Sequence, residues 1–425
     1  MKTALHLLSA LLVATASEGA FAADALTLGF HAHQLNHIEA AASTGYTAIR
    51  LWDAGTDWAS IKPQREQWNF ERIEAYLAAS EKAHLKVLWT LGGTPRWASA
   101  RPNEKCAYGF GCAAEPANID DWRRYVRTIA TTFRGRIECY EPWNEASFPT
   151  DPSFMRAGEG GTPGQFFSGS VEAMVNLARV AYEEIKLADP QACVLSPSFH
   201  NSGHWAEKFD NFLAAGGGQY FDVVSQHFYF SDEPEQVVPT IHAMQRVMAK
   251  HGLSRVPVWN TEVGAPFFMK DKQWPGYSLE DLVYAQTLRT YLLNASAGIS
   301  RVYWYAWDNK EFGFFGPRTN IDFGSTAASA AIHLLDGFRS ISCREKENYW
   351  QCHINAGDRK FKVVWFAGKN IKPIQVAFDL DATRWGQIPE RIPAGQQIPL
   401  DGRPVIVADE RGSEPPRRKK LLTSS

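Results

Sequence analysis

The 425-residue sequence predicts an α/β chain, a (β/α)8 TIM barrel followed by a small antiparallel β domain. Three features carry that reading. Between about residues 24 and 338, eight short apolar runs alternate with eight segments of helical periodicity. The alternation argues a parallel sheet, and eight units of this size argue closure into a barrel. Acids, an amide and an imidazole fall where those runs end, the rim at which such barrels do their chemistry. After about Gly337 apolar and polar residues alternate between turn signals, as antiparallel strands require.

Taken in order, the chain begins with Lys2, an apolar run over 5–14 and the small-x-small site Ala20-Phe21-Ala22. This reads as a signal peptide over 1–22, too short for a membrane span. Strands are expected over 26–30, 46–52, 85–91, 137–143, 193–196, 221–228, 256–261 and 302–307. Helices are expected from the first strand to about 44 and over 69–83, 120–133, 171–187, 205–214, 237–250, 279–297 and 327–335. The barrel is assigned to 23–338. An open doubly wound sheet would want a Gly-rich phosphate turn after the first strand, and Gly29-Phe30-His31-Ala32-His33 is not one. The β domain is assigned to 339–410, with turns at Asn355-Ala356-Gly357-Asp358 and Ala367-Gly368-Lys369-Asn370. Residues 411–425 carry Pro415-Pro416 and Arg417-Arg418-Lys419-Lys420 and read as a solvated, disordered tail.

A formal net charge of −2 gives no reason to expect nucleic acid or an anionic membrane. No later stretch reaches a membrane-spanning length. The protein is therefore expected to be exported, periplasmic or secreted, with a monomer as the default. Six cysteines in an exported chain permit disulfides. Cys106 with Cys112, and Cys343 with Cys352, are expected to pair locally, whereas Cys139 and Cys193 lie on two different barrel strands, and the sequence leaves open whether they are free core thiols. None of the spacings is a zinc pattern, and no metal or other cofactor is expected.

Two stretches organise the chemistry. Glu138-Cys139-Tyr140-Glu141-Pro142-Trp143-Asn144-Glu145 and Val256-Pro257-Val258-Trp259-Asn260-Thr261-Glu262-Val263-Gly264 each read as a buried strand ending in a carboxylate. A facing pair of carboxyl groups is what glycosidic cleavage requires. Around them fall Arg50 and Asp53 at the second strand, Trp89 at the third with Trp97 beyond it, and Asn144 at the fourth. His227 and Tyr229 lie on the sixth strand, and Trp304, Trp307 and Asp308 on the eighth. Arg50 reads either as a donor to Glu262 or as a core partner of Glu141. Trp304 reads as a floor for a sugar ring rather than as packing. Glu138 and Glu141 precede the strand end and read as structural. The chain holds 15 Trp, 14 Tyr and 25 Phe, several of them in the rim loops, Tyr108 and Phe110 included, which suits a polysaccharide groove.

At Arg50, Thr94-Pro95-Arg96-Trp97-Ala98, Asn144-Glu145, His227-Phe228-Tyr229, Glu262 and Trp304 the sequence resembles the clan A glycoside hydrolases. It is most similar to family 39, including its bacterial exopolysaccharide-cleaving members. The resemblance implies a retaining hydrolase of β-glycosidic bonds in a poly- or oligosaccharide, and the long loops after the third, fourth and seventh strands favour a cleft and internal cleavage, so endo-action on a bacterial exopolysaccharide is expected. It implies Glu145 as general acid and base, Glu262 as nucleophile, and Asn144, Arg50, His227, Tyr229, Trp304 and Trp97 as substrate-binding; Trp89 joins the substrate-binding set from its place at the end of the third strand.

Two rivals differ in class. A metal-dependent hydrolase of amidohydrolase type would use His31, His33, His200, His227 and Asp308, but it leaves Glu262 unexplained and lacks a bridging lysine on the fourth strand. A non-catalytic glycan-binding barrel would not need both acids. Asn294-Ala295-Ser296 matches a glycosylation sequon inside an apolar helix and reads as coincidence.

Overall fold

The computed structural model describes residues 26–148, 166–201, 203–265, 277–309, 312–314, 322–347, 349–367, 372–375, 380–384, 390–393 and 396–408. The leader, the basic tail and the second of the two turns in the β domain, apart from Ala367, lie outside the described residues.

Eight parallel strands form the barrel: β1 (Thr27–Phe30), β2 (Ala48–Leu51), β3 (Lys86–Thr90), β4 (Cys139–Glu141), β5 (Cys193–Val194), β6 (Val224–His227), β7 (Val258–Val263) and β8 (Ile299–Trp304). Their order is β5-β4-β3-β2-β1-β8-β7-β6. The parallel bridges Leu195↔Val223 and His200↔His227 close the ring between β5 and β6. The helices are α1 (Ile38–Ser43), α2 (Glu71–Lys82), α3 (Ile119–Thr132), α4 (Val171–Ala188), α5 (Trp205–Ala214), α6 (Val237–Lys250), α7 (Leu279–Ser296) and α8 (Asp322–Leu334).

Local chemistry sets where the long helices begin. Asn118 accepts from the Asp120 amide before α3, with Asp120 and Asp121 in its first turn. Ser170 accepts from the Ala173 amide before α4. Ser278 and Asp281 form a reciprocal capping box before α7. Each cap satisfies amides that the helix start leaves without carbonyl partners, and acids there suit the helix dipole.

The lower barrel interior is filled by Ala48, Leu88, Cys139, Leu195, Val223, Trp259 and Tyr303. Above that layer the inward residues become polar. Cys139 and Cys193 face each other in the β4–β5 register and form a disulfide, as do Cys106–Cys112 and Cys343–Cys352. Cys139 and Cys193, whose state the sequence leaves open, are therefore paired and not free thiols. Sequence spacing did not give the strand register that brings them together.

The β domain is a six-stranded antiparallel sheet with a two-stranded companion. Its strands are β9 (Phe338–Lys346), β10 (Tyr349–Ala356), β11 (Arg359–Trp365), β12 (Lys372–Gln375), β13 (Leu380–Arg384), β14 (Glu390–Ile392), β15 (Gln397–Leu400) and β16 (Val405–Ala408). The order is β9-β10-β11-β16-β13-β14, with β12 pairing β15.

The sheet packs on the outer side of α7. Every residue from Leu282 to Asn294 is buried, so α7 has no solvent face. Cys352, Ile354, Val363 and Trp365 share one apolar core with the barrel. Buried Arg289 on α7 donates to Glu235 at 2.9 Å and to Glu233 at 2.6 Å, and Trp365 donates to the same Glu235 at 2.7 Å. Asn294, the sequon residue, is buried, donating to the Thr290 carbonyl at 2.9 Å and accepting from Asn260 at 3.0 Å. Among the described residues no helix is long and apolar enough to cross a membrane.

Candidate active site

The upper barrel interior is built by alternation. On β2, Ala48 and Arg50 point inward; on β4, Cys139 and Glu141 do. Along β7 the alternation breaks: Gln226 pairs with Asn260, but His227 pairs with Glu262. This β-bulge lets two successive residues serve the interior. Thr261 accompanies Ser225, their hydroxyls 2.6 Å apart, and donates to Glu141 at 3.2 Å, while Glu262 reaches the rim. Gly264 follows because a Cβ there would lie 2.2 Å from the Tyr305 carbonyl.

Arg50 is fully buried and serves three partners. It donates to Glu141 at 2.9 Å, to Glu262 at 2.8 Å and to the Asn144 side-chain oxygen at 2.7 Å. Both sequence readings of Arg50 thus hold at once. Glu141 is also fully buried and accepts from Thr90 at 2.7 Å. Glu138 lies below, bonded to Arg301 at 2.8 Å, with Lys86 3.1 Å away.

On the rim, Tyr229 donates to Glu262 at 3.0 Å. The His227 Nδ1 lies 2.8 Å from Glu145 and 3.7 Å from Glu262. Glu145 adopts a left-handed backbone, φ 44°, its amide held by the Ser198 hydroxyl at 3.0 Å. A non-glycine residue there is strained, a cost that the surrounding structure must impose. One oxygen of each carboxylate and one ring nitrogen of His227 all lie within 4.8 Å of one another.

Burial pushes both Glu145 and Glu262 above the usual carboxylate range. For Glu145 the neighbouring His200 and the Arg50 charge oppose the shift and Asp53 adds to it. For Glu262 the neighbouring His227 and the Arg50 charge oppose the shift, and Glu145 and Asp53 add to it. Burial, reinforced by the Arg50 charge, takes His227 down to about 4 against the pull of Glu262, so the imidazole is neutral near pH 7. Burial also pushes the Tyr229 hydroxyl up, keeping it a donor.

Arg50, Asn144, Glu145, His227, Tyr229 and Glu262 therefore meet at one place. Three predicted residues do not join them. Trp89 points outward against Phe133, the residue that caps α3, and donates to the Thr56 carbonyl at 3.0 Å. Trp97 donates to the Lys62 carbonyl at 2.9 Å and packs edge-on to Trp58. Trp304 is fully buried against Tyr291 of α7 and Phe314. The correction at Trp304 is one of alternation: Tyr303 fills the lower interior, Trp304 turns outward, and Tyr305 turns back in. Tyr305 donates to Asp53 at 2.7 Å. Sequence reasoning had placed Asp53 at the strand end without assigning it, and it missed Tyr305. Strand alternation counted from Tyr303 is the signal that would have found Tyr305.

The metal-site rival does not assemble. Asp308 accepts from the His33 amide at 2.9 Å, the Gln34 amide at 2.9 Å and His37 at 2.9 Å, and so ties down the first loop. Among the described residues the one group with metal-ligand geometry is Glu145, His227 and Glu262. There the fixed Arg50 cation already holds Glu262 and would repel a second cation.

No family model matches the chain, and no curated protein matches it. Among solved structures its fold is similar to a family 39 glycoside hydrolase from the gut symbiont Bacteroides cellulosilyticus. That likeness has 17% identity, covers 90% of this chain and 80% of the other, and has a TM-score of 0.65. It is also similar to a family 39 beta-xylosidase from Caulobacter crescentus, with 16% identity, 90% and 95% coverage and a TM-score of 0.61. A family 30 endoxylanase from Clostridium papyrosolvens follows, with 10% identity, 91% and 97% coverage and a TM-score of 0.56. At such identities the likeness is one of fold.

Proposed function

We propose that the protein is a retaining glycoside hydrolase of the clan A kind, most like family 39, cleaving β-glycosidic bonds by double displacement. The observation that carries the reading is that one oxygen of Glu145 and one of Glu262 lie within 4.8 Å of each other, which brings the two carboxyl groups close together across the rim. Retaining enzymes hold their carboxyl groups about 5–5.5 Å apart, whereas inverting ones leave about 6.5–9.5 Å for a water.

The two acids have different surroundings, and these assign the roles. Glu262 accepts from both Arg50 and Tyr229. The Glu145 carboxylate pairs instead with the His227 imidazole, which is neutral near pH 7. The pair titrates as a unit, and its shared proton resides on Glu145. Glu145 gives that proton to the glycosidic oxygen as Glu262 attacks the anomeric carbon. The carbon–oxygen bond to the leaving sugar breaks and a glycosyl ester forms on Glu262. Glu145, now a carboxylate, takes a proton from water, whose oxygen displaces Glu262. One water is consumed and the configuration is kept. The Asn144 amide oxygen is fixed by Arg50, which leaves its NH2 to donate to the sugar 2-hydroxyl.

The finer reading is an endo-acting enzyme on a bacterial exopolysaccharide, exported by the leader at 1–22 and monomeric. The three disulfides support an oxidising compartment.

A slow-turnover 2-deoxy-2-fluoro-β-glycosyl fluoride series tests the mechanism. Peptide mass spectrometry is expected to find the sugar on the peptide containing Glu262. Active enzyme that carries the label on another residue would overturn the assignment.

A further inference from the structure

Among the described residues three large hydrophobic side chains are strongly exposed: Tyr108 at 53%, Phe110 at 58% and Leu187 at 73%. Two of the three sit on one short hairpin after β3, in which Lys105–Cys106 pairs with Gly109–Phe110. The Cys106–Cys112 disulfide closes it. Ser99 donates to the Gly111 carbonyl at 2.8 Å, and the Thr94 amide to the Cys112 carbonyl at 3.1 Å. Gly109 and Gly111 take left-handed φ values of 131° and 80° that side chains resist. This bracing holds Tyr108 and Phe110 in place although both rings stay largely exposed.

The hairpin reaches the carboxyl pair. The Tyr108 hydroxyl donates to Asp53, which also accepts from Tyr305 at 2.7 Å. The Tyr305 amide donates to the carbonyl of Val263, the residue after Glu262, at 2.7 Å, so Asp53 lies beside the carboxyl pair. The Trp52 ring lies 5.7 Å from Tyr108, edge-on, and Phe166 lies 6.0 Å from it. An aromatic face beside a carboxylate that accepts hydroxyl protons matches a pyranose or furanose ring, which offers an apolar C–H face with hydroxyls at its edge.

We propose that Tyr108 and Asp53, with the buried Trp52 ring packed behind Tyr108, form a second sugar subsite next to the cleavage point, and that the disulfide-closed hairpin holds it in place. The substrate class is then an oligomer or polymer rather than a single glycoside. This rests on the hydrolase reading and specifies where the chain runs.

The test compares β-glycosyl fluorides, whose leaving group fills no sugar subsite, with a β-linked hexasaccharide of the sugar that the wild type accepts. Fluoride turnover by the wild type and its loss in Glu262→Gln report on the hydrolase reading alone. The subsite is read from the ratio of the two kcat/KM values. Tyr108→Ala is expected to lower the hexasaccharide value at least about tenfold more than the fluoride value, and Tyr108→Phe to retain most of it. Hexasaccharide binding to Glu262→Gln should weaken at least about fivefold when Tyr108→Ala is added. Equal losses on both substrates, or unchanged binding in the double variant, would overturn the proposal. An unchanged melting temperature and intact disulfides by mass spectrometry would show that the variant is folded.

Discussion

At Arg50 one guanidinium joins a buried structural acid, a rim acid and an amide. Its charge stays in place because Glu141 and Glu262 more than offset the cost of burying it. Arg50→Met would leave two buried carboxylates without their bonded cation, so a loss of about 3–5 kcal/mol in urea unfolding is expected. Arg50→Lys should recover part of that, because it restores the charge but not the fork. Glu145 makes the opposite prediction. Burial raises its folded pKa, so the folded state holds the proton more tightly than the unfolded chain. Stability is therefore lost as pH rises from the ordinary carboxylate value through the raised one. Glu145→Gln removes that cost. It should raise the melting temperature at about pH 7–8, and the gain should vanish near about pH 3–4. Activity should fall in the same variant, placing the acid where function opposes stability.

At the scale of elements, the disulfide between β4 and β5 joins neighbours 54 residues apart in sequence. Cys139→Ser with Cys193→Ser should cost roughly 3–5 kcal/mol in the same unfolding measurement. The strands and helices were legible because apolar spacing reports an element's period directly. Glu145 and Glu262 were legible because a strand end in a barrel is a fixed address. Properties that depend on pairing were less so. Cys139 faces Cys193 through register, and Glu262 reaches the rim through a bulge that a run of Trp-Asn-Thr-Glu does not announce. Trp304 reads as a sugar floor from its place on the eighth strand alone, which does not say which way it faces; the alternation of β8 turns it toward α7. Trp89 fell to the same rule, since its neighbour Leu88 takes the inward position.

For the whole molecule, the β domain completes the barrel rather than trailing from it. Its cover over α7 explains why that helix is buried on all sides. It also explains how Arg289 can be fully buried among Glu233, Glu235 and the Gly402 carbonyl. Glu233 and Glu235 follow Tyr229 in the same loop, so the interface also steadies a donor to Glu262. A chain ended after residue 338 would expose the outer face of α7. It is expected to be recovered as insoluble or unfolded protein, measured by soluble yield and far-ultraviolet circular dichroism.

The central claim, that Glu145 and Glu262 act in two displacements, is tested most directly by the anomer released first. Proton magnetic resonance during hydrolysis of an accepted β-glycosyl fluoride should show the β-anomer appearing before mutarotation forms the α-anomer. First release of the α-anomer would mean a single displacement by water and would contradict the account.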